Sequence, residues 1–264
     1  MLRASSLAFA LVVIARVAIA QQPAGAPATA GPTAPTVGAP LVAPDSSPAI
    51  ERPNGAMVRA ATYTYQLSLT RPGSVPTPLG VRTVQVTDTP MAGVPSWLIA
   101  ESRTGSVVTT TDSLWVTRTD LSPERWMATI DHTQLAASFT PDSVYAAMQS
   151  YRGRSSFSAA LPLGALLTPG MVDRIVELLP LRSGYRASAW LLLMEQGAAR
   201  ALPAELAVAR EDRTRIGASD VNCWVVVLRA GVMEERLWVS KDAPRVVRTE
   251  QSVGGGILSA TLVP

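Results

Sequence analysis

The stretch "ERLWVSKDAPRVVRTEQ" (235–251) contains the one lysine of the chain, Lys241, and has a counterpart earlier in the sequence. "LWVSKDAPR" (237–245) matches "LWVTRTDLSPER" (114–125): each has Leu-Trp-Val, a basic residue, an Asp, and then Pro and Arg. Asp and Pro favour tight turns. Each stretch therefore predicts a strand, a polar turn and a return strand. Lys241 aligns with Arg118, which indicates a solvated cation and not a lysine nucleophile.

Most of the sequence outside the N-terminus alternates between apolar and polar residues. In "ATYTYQLSLT" (61–70), Tyr63, Tyr65, Leu67 and Leu69 fall on one face, the pattern of a half-buried antiparallel strand. The same template predicts strands over 80–89, 96–103, 106–120, 124–132, 186–196, 205–216, 222–231, 234–242, 244–253 and 256–263. Turn residues separate these segments at about 8 to 12 residues, which is typical of a meandering sheet.

Two segments between these strands have helical signals. Thr140-Pro141-Asp142 resembles an N-cap followed by a proline at the first helical position, and it precedes "DSVYAAMQSYR". Thr168-Pro169 precedes "GMVDRIVELL", whose apolar residues form one stripe and whose charged residues form the other. The predicted fold class is α+β: a curved, mostly antiparallel sheet or half-open barrel of about ten strands, with two helices in or over its concave face.

The paired elements "DSLWVTRTDLSPER" and "RLWVSKDAPRVVR", with "YTYQLSL" and "CWVVVL", resemble a family of exported bacterial proteins of unknown function. The resemblance covers most of 56–264. It implies a half-open barrel similar to that of the periplasmic lipoprotein-localisation carriers, in which an incomplete barrel and its helices surround an apolar cavity. By that fold analogy alone it implies binding of a lipid or an acyl chain.

The N-terminus predicts export. Arg3, the apolar run from Leu7 to Ile14 and the sequence Ala18-Ile19-Ala20 form a signal peptide over 1–20, cleaved after Ala20. The apolar run is shorter than the roughly 20 residues of a membrane span, so no transmembrane segment is expected after cleavage. Residues 21–51 are rich in Ala and Pro and predict a disordered linker. One domain over 52–264 follows, in the periplasm or outside the cell.

Charge and composition argue against several functions. Removing Arg3 and Arg16 with the signal leaves a net charge of about +1, and basic residues alternate with acidic ones, as in "EDRTR", so nucleic acid is not an expected partner. One Cys and one His make a metal site unexpected, and no cofactor motif occurs. Cys223, in the apolar "NCWVVVL", is expected to be a small buried residue.

Catalysis is not predicted. His132 is the one histidine, next to Asp131 at the end of a predicted strand, and the sequence contains no G-x-S-x-G elbow. A hydrolase that uses His132 is therefore the third hypothesis. The first is a non-catalytic binding protein of the cell envelope for an apolar ligand, which could be a lipid, an acyl chain or a lipidated protein. The second is a structural or protein-interaction module with a packed core and no ligand.

The ligand hypothesis rests on large apolar side chains that could line a cavity between sheet and helices. Its candidate residues are Trp97, Trp115, Trp190, Trp224, Trp238, Met148, Met171, Ile175 and Leu179. The alternative for the same residues is that they fill the core, since each tryptophan can bury about 150–250 Å². Strands such as "WLLLM" and "CWVVVL" are apolar on both faces, so they need a second packing partner, a ligand or another chain.

Overall fold

The computed structural model describes residues 47–264 except 106–108, 165 and 196. The predicted signal peptide and most of the predicted linker lie outside the described residues. The strands are β1 (Ala61–Thr70), β2 (Thr77–Asp88), β3 (Ser96–Gly105), β4 (Thr110–Thr117), β5 (Pro123–Ile130), β6 (Thr133–Phe139), β7 (Ser143–Ser150), β8 (Gly153–Ala160), β9 (Leu166–Leu167), β10 (Arg186–Glu195), β11 (Ala198–Ile216), β12 (Ser219–Ala230), β13 (Met233–Ser240), β14 (Val246–Val253) and β15 (Gly256–Leu262). The α-helix in the described range is α1 (Val172–Leu178), and short 3-10 turns occupy Gly55–Met57 and Pro169–Met171.

All these strands belong to one 15-stranded sheet, in the order β8-β7-β6-β5-β4-β3-β2-β1-β15-β14-β13-β12-β11-β10-β9. Neighbours in this order pair antiparallel except β10 and β9, and β1 joins the two halves by pairing with β15. The two-residue β9 pairs parallel with β10. Because β8 contacts β11, near the other end of this order, the sheet curls around its inner face.

The prediction of two helices on about ten strands is wrong. The segment predicted as the first helix forms β7, in which Val144 and Ala146 are buried and Tyr145 between them is exposed. The cap-like residues before it close a β-turn: the Thr140 backbone N–H donates to the Ser143 carbonyl at 2.9 Å, and the Thr140 hydroxyl bonds Asp142. Side chains that cap a helix can also close a turn, and here pairing with β6 and β8 outweighs helix propensity.

The second predicted helix exists as α1, but the protein surrounds its charged face as well as its apolar face. Met171, Val172, Ile175 and Val176 are at most 2% exposed, as an apolar stripe requires. Its charged face is buried as well, with Asp173 at 5% and Arg174 at 3% exposure. The helix therefore lies inside the curl of the sheet, where α1 contacts β13 and β14 and the preceding 3-10 turn contacts β3, β4 and β10.

The repeated hairpin is confirmed. "LWV" lies in β4 and in β13, each turn leads into a return strand, and each pair has a register shift directly after its tryptophan. The correspondence extends to the preceding strands, where Trp97 faces Val116 and Trp224 faces Val239. Strands β1–β6 and β10–β15 therefore occupy equivalent places in two successive runs of the sheet.

Residues at the start of the described chain cross between the two halves. Ile50 N–H donates to the Ser188 carbonyl and Ser188 N–H to the Pro48 carbonyl, both at 2.8 Å, so residues 48–50 extend the edge at β10. A few residues later Gly55 N–H donates to the Thr119 carbonyl in the turn after β4. Residues 48–50, which precede the predicted domain start at 52, thus contact the sheet, and we call residues 47–58 the N-terminal strap.

Candidate functional site

The predicted ligand-binding residues do not line one cavity. Trp97, Trp224 and Met148 lie on the inner face, together with Met171, Ile175 and Leu179 from the α1 segment. Trp115 and Trp238 point to the outer face. In β10 residues on both faces are buried, among them Ala189 and Trp190. The structure therefore divides this set between the packed interior and the outer surface.

The interior positions are packed against the protein itself. Met171 and Ile175 are 1% and 2% exposed, and Leu179 is buried beside them. Met148 is partly buried against the same core. The place that the sequence suggested for an apolar ligand is thus occupied by the side chains of α1 and of the sheet around it.

Charged side chains are buried next to these apolar residues. Arg82 in β2 donates from Nη2 to Glu101 Oε2 at 2.7 Å and pairs through Nη1 with Asp173 Oδ2 at 2.8 Å. Arg103 Nε donates to the other oxygen of Glu101 at 2.6 Å. Because Glu101 and Arg103 belong to β3 and Asp173 to α1, this charge cluster connects the helix to the sheet.

Glu177, near the end of the helix, forms an ion pair within α1 and a hydrogen bond to the sheet. Arg174 Nη1 and Glu177 Oε2 are 2.9 Å apart, and the Val246 N–H donates to Glu177 Oε1 at 2.7 Å. The Arg174 guanidinium lies 4.4 Å from the centre of the Tyr63 ring. Burial raises the pKa of Glu177 to about 7, although the charge of Arg174 and the Val246 N–H oppose the rise.

The pKa values of the other interior carboxyl groups are shifted in opposite directions. Burial alone raises the pKa of Glu101, but the charges of Arg103 and Arg82 outweigh it and bring the pKa down to about 2. Burial and the charge of Glu101 raise the pKa of Asp112 to about 7, against a hydrogen bond of 2.5 Å from Trp126 Nε1 to its Oδ1. Burial and the charge of Asp173 raise the pKa of Glu235 to about 7.

Trp97 and Trp224, the two equivalent tryptophans of the inner face, each lie against a cationic side chain. The Arg118 guanidinium lies 4.9 Å from the Trp97 ring, and Lys241 Nζ lies 3.7 Å from the Trp224 ring. Trp97 Nε1 also donates to the Gly55 carbonyl of the N-terminal strap at 2.9 Å. The expected equivalence of Lys241 and Arg118 is thus confirmed, with an aromatic ring as the shared partner.

Cys223 and Trp238 belong to a small cluster on the outer face. They pack with Val225, Val247 and Ile216. Ile216 is the last residue of β11, next to the turn that leads into β12. Trp238 Nε1 donates to Asp212 at 2.9 Å, and burial raises the pKa of the Cys223 thiol to about 11. The thiol is therefore protonated near neutral pH, as expected for a small buried residue.

His132 is exposed in the turn between β5 and β6, after Asp131, whose φ is 50°. Among the described residues its side chain makes no hydrogen bond, so the geometry does not assemble the hydroxyl–imidazole–carboxylate row of the hydrolase hypothesis. In the same part of the chain no three His, Cys, Asp or Glu side chains come together as a metal site. With seven residues, α1 cannot cross a membrane, and no other helix of the described chain is long and apolar enough to do so.

The outer face of β4–β8 has a different character from the packed interior. Two adjoining hollows of about 540 Å³ and 600 Å³ lie there and share Ala136 and Ala147. We call them together the outer trough. Its side chains form cross-strand rows, each row with one residue from every strand.

The middle row is the floor and consists of Ser113, Met127, Ala136, Ala147 and Ser156. On one side lies a polar wall of Thr111, Thr129, Gln134, Gln149 and Arg154. On the other side lies an aromatic wall of Trp115, Arg125, Ser138, Tyr145 and Ser158. Of the candidate residues, Trp115 and Met148 line this trough; Trp115 belongs to the aromatic wall, whereas the Met148 side chain packs against the core on the inner face.

Sequence reasoning missed the charge cluster and most of the trough. The signal for Arg82, Glu101 and Asp112 was present, since each continues the inward alternation of a predicted strand. They were not singled out because charged residues are normally assigned to the solvent face. Most of the trough was missed because β6 and β8 were not predicted and β7 was predicted as a helix.

The fold and its filled interior define a class, a barrel-like protein made of one curled antiparallel sheet around its own short helix. No protein-family model and no curated protein matches the chain. A beta-barrel-like protein of domain of unknown function DUF1849 from Brucella abortus is similar in structure, with 10% identity over 83% of this chain and 98% of that one and a TM-score of 0.49. The hypothetical lipoprotein YmcC from Escherichia coli is similar at 11% identity over 78% and 89%, with a TM-score of 0.31. The description of the first, beta-barrel-like and of unknown function, is the kind of protein that the sequence resembles.

Proposed function

We propose that this protein is an exported, non-catalytic binding module of the cell envelope that recognises its partner through its outer surface. The observation that carries the proposal is the position of α1. The helix fills the concavity in which an apolar ligand would lie, and its apolar and charged side chains are both buried there. The binding surface is therefore to be sought on the exposed face of the sheet.

An apolar ligand in the interior is the competing candidate. To admit an acyl chain, α1 would have to move, which separates Arg82 from Asp173 and Glu177 from the Val246 N–H. It would also expose side chains such as Ile175 and Val176, at about 1.5–3 kcal/mol for each. Unpaired charges would remain in the core, which adds several kcal/mol more. A carrier of this kind would need a ligand that offsets all these costs.

Native mass spectrometry with solvent extraction distinguishes the two candidates. The mature chain is exported from a Gram-negative host, purified without detergent and then incubated with a fatty acid or a phospholipid. We expect the mass of the protein alone before and after incubation, because the buried side chains of α1 occupy the concavity in which either ligand would lie. A stoichiometric adduct that extracts as lipid would overturn the proposal in favour of the carrier.

A matched pair of variants tells an interior site from adventitious surface binding in the same experiment. Ile175→Ala opens space beneath the helix, whereas Leu163→Ala removes a side chain that is 94% exposed. Any lipid bound by the wild type in the interior should change in amount with Ile175→Ala alone. Lipid that both variants retain equally is bound elsewhere.

A further inference from the structure

We propose that the outer trough binds an acidic polysaccharide, whose sugar rings stack on Trp115 and Tyr145 and whose carboxylates pair with Arg125 and Arg154. This inference rests on the proposed function, because it supplies the partner class for the outer surface. It starts from the cross-strand rows of β4–β8, which present small residues along the floor and large or polar residues along both walls.

The shape of the trough fits a linear chain. It runs across five neighbouring strands, β4 to β8, and is thus roughly 19 Å long at about 4.8 Å between strands. Ala136, Ala147 and Ser156 keep the floor low, and the two hollows join along it. A linear oligomer of several sugar units can lie along this length, whereas a compact small molecule would fill one hollow.

The charges of the trough select an acidic ligand. Arg125 and Arg154 are the charged residues among those that line it, and no Asp or Glu of the described chain lines either hollow. Neither arginine has a carboxylate partner among the described residues, in contrast to Arg229, which pairs with Glu234. Two unpaired guanidinium groups on opposite walls therefore favour a ligand with repeated negative charge.

The aromatic residues provide stacking surfaces. Tyr145 is 57% exposed, and Met127 in the floor is 41% exposed. The Arg125 guanidinium lies 5.9 Å from the centre of the Trp115 ring, so the cation and the aromatic face reach the ligand together. An aromatic ring offers an apolar face in a wet site, which suits the C–H face of a sugar ring.

The location on a sheet face favours a glycan over an acidic peptide. An extended peptide gains much of its affinity by adding to a strand edge through backbone hydrogen bonds. In β5, β6 and β7 both neighbours are already paired, so these ladders offer no such edge. Recognition must come from side chains, and the trough supplies hydroxyl and amide groups such as Ser138, Gln134 and Gln149.

The test is a binding titration of the full mature chain with an oligogalacturonate of defined length, a linear acidic glycan. Parallel titrations use a neutral maltooligosaccharide of equal length and an oligoglutamate peptide. We expect saturable binding of the oligogalacturonate that weakens at high salt, with weaker binding of the other two. The double variant Arg125→Gln/Arg154→Gln should weaken it by about tenfold or more, because the charge-assisted hydrogen bonds of both guanidinium groups to the carboxylates are lost.

The control is Arg215→Gln, which removes the same charge from an exposed position on the β11–β12 hairpin, and its affinity should remain within about twofold of wild type. Gln149→Glu keeps the arginines and places a negative charge on the polar wall, so it should also weaken binding. The inference is overturned by absent binding, by equal loss in Arg215→Gln, or by equal affinity for the oligoglutamate. None of these results bears on the packed interior, on which the proposed function rests. A lipid adduct in the mass-spectrometry experiment, in contrast, would contradict the proposed function.

Discussion

Arg82 is the cation that joins Glu101 of the sheet to Asp173 of α1 in the buried charge cluster. Its guanidinium group lies between Glu101 and Asp173, and both side chains of each pair are at most 8% exposed. Although burial by itself lowers the pKa of Arg82, the charges of Asp173 and Glu101 raise it well above its ordinary value. A buried charge with good partners is tolerated, but removal of one partner leaves the others uncompensated.

Arg82→Met should therefore lower the free energy of unfolding by about 3–5 kcal/mol, because buried Asp173 loses its ion-pair partner and buried Glu101 loses one of its two. Urea denaturation measures the change. Arg229→Met removes the arginine of an exposed pair with Glu234 and should cost less than about 1 kcal/mol. Equal effects of the two substitutions would show that the buried cluster stabilises the protein no more than an exposed ion pair does.

The protonation of Asp112 predicts a pH dependence of stability. Its pKa is about 7 in the folded protein and about 4 in an unfolded chain, so between these values the folded state holds a proton that the unfolded state has lost. The stabilisation is complete at low pH and is lost as the pH rises through 7. Glu235, whose folded pKa is also about 7, acts in the same direction.

We expect the free energy of unfolding to fall by about 1–3 kcal/mol for Asp112 between pH 5 and pH 8. Asp112→Asn keeps an acceptor for Trp126 Nε1 without the charge, so it should flatten part of this slope and exceed the wild type in stability at pH 8. Urea denaturation midpoints measured between pH 5 and pH 8 give this slope. Asp220→Asn changes an exposed carboxylate and should leave the slope unaltered; an unaltered slope in Asp112→Asn would contradict the assignment.

At the scale of the element, α1 is stabilised by its surroundings and not by its own sequence. It has seven residues, no side-chain cap at its N-terminus and no basic residue in its last turn. An isolated helix of this length is not stable in water. Burial of its apolar side chains, the ion pair of Asp173 with Arg82 and the hydrogen bond from the Val246 N–H to Glu177 hold it in place.

Ile175→Ala should destabilise the protein by about 2–5 kcal/mol, because a well-packed site collapses only partly around the missing atoms. Leu163→Ala is the matched control, since the same kind of truncation at a 94% exposed side chain should change stability by less than about 0.5 kcal/mol. Thermal or urea unfolding measures both. A small effect at Ile175 would mean that α1 is a loose cover and would reopen the ligand hypothesis.

At the scale of the whole molecule, the N-terminal strap connects two distant parts of the sheet. It extends the edge at β10 through Pro48 and Ile50 and reaches the turn after β4 through Gly55. Ile50 and Val58 are buried where it crosses. An exposed sheet edge is prone to pair with other chains, so the strap also protects β10.

A chain that begins at residue 58 should be less stable than one that begins at residue 47, by about 2–4 kcal/mol, through lost burial of Ile50 and lost hydrogen bonds. Amide hydrogen exchange should show faster exchange at Ser188, whose N–H donates to Pro48, while Val226 in the middle of β12 keeps its protection. Unchanged exchange at Ser188 would show that the strap is dispensable.

The sequence by itself determined most of the meandering antiparallel strands, but not β6 to β8, and it determined the repeated hairpin. Alternation of apolar and polar residues and turn chemistry are local properties that a single strand displays in full. The burial of Cys223 and the shared role of Arg118 and Lys241 followed from the same local patterns.

The tertiary structure alone decided the rest. Strand pairing on both sides made β7 a strand despite its cap-like residues, and the curl of the sheet buried the charged face of α1. The cross-strand rows of the outer trough exist only once β4 to β8 lie in register. Pairing partners, enclosure and register depend on residues far apart in the chain, so no local pattern could have specified them.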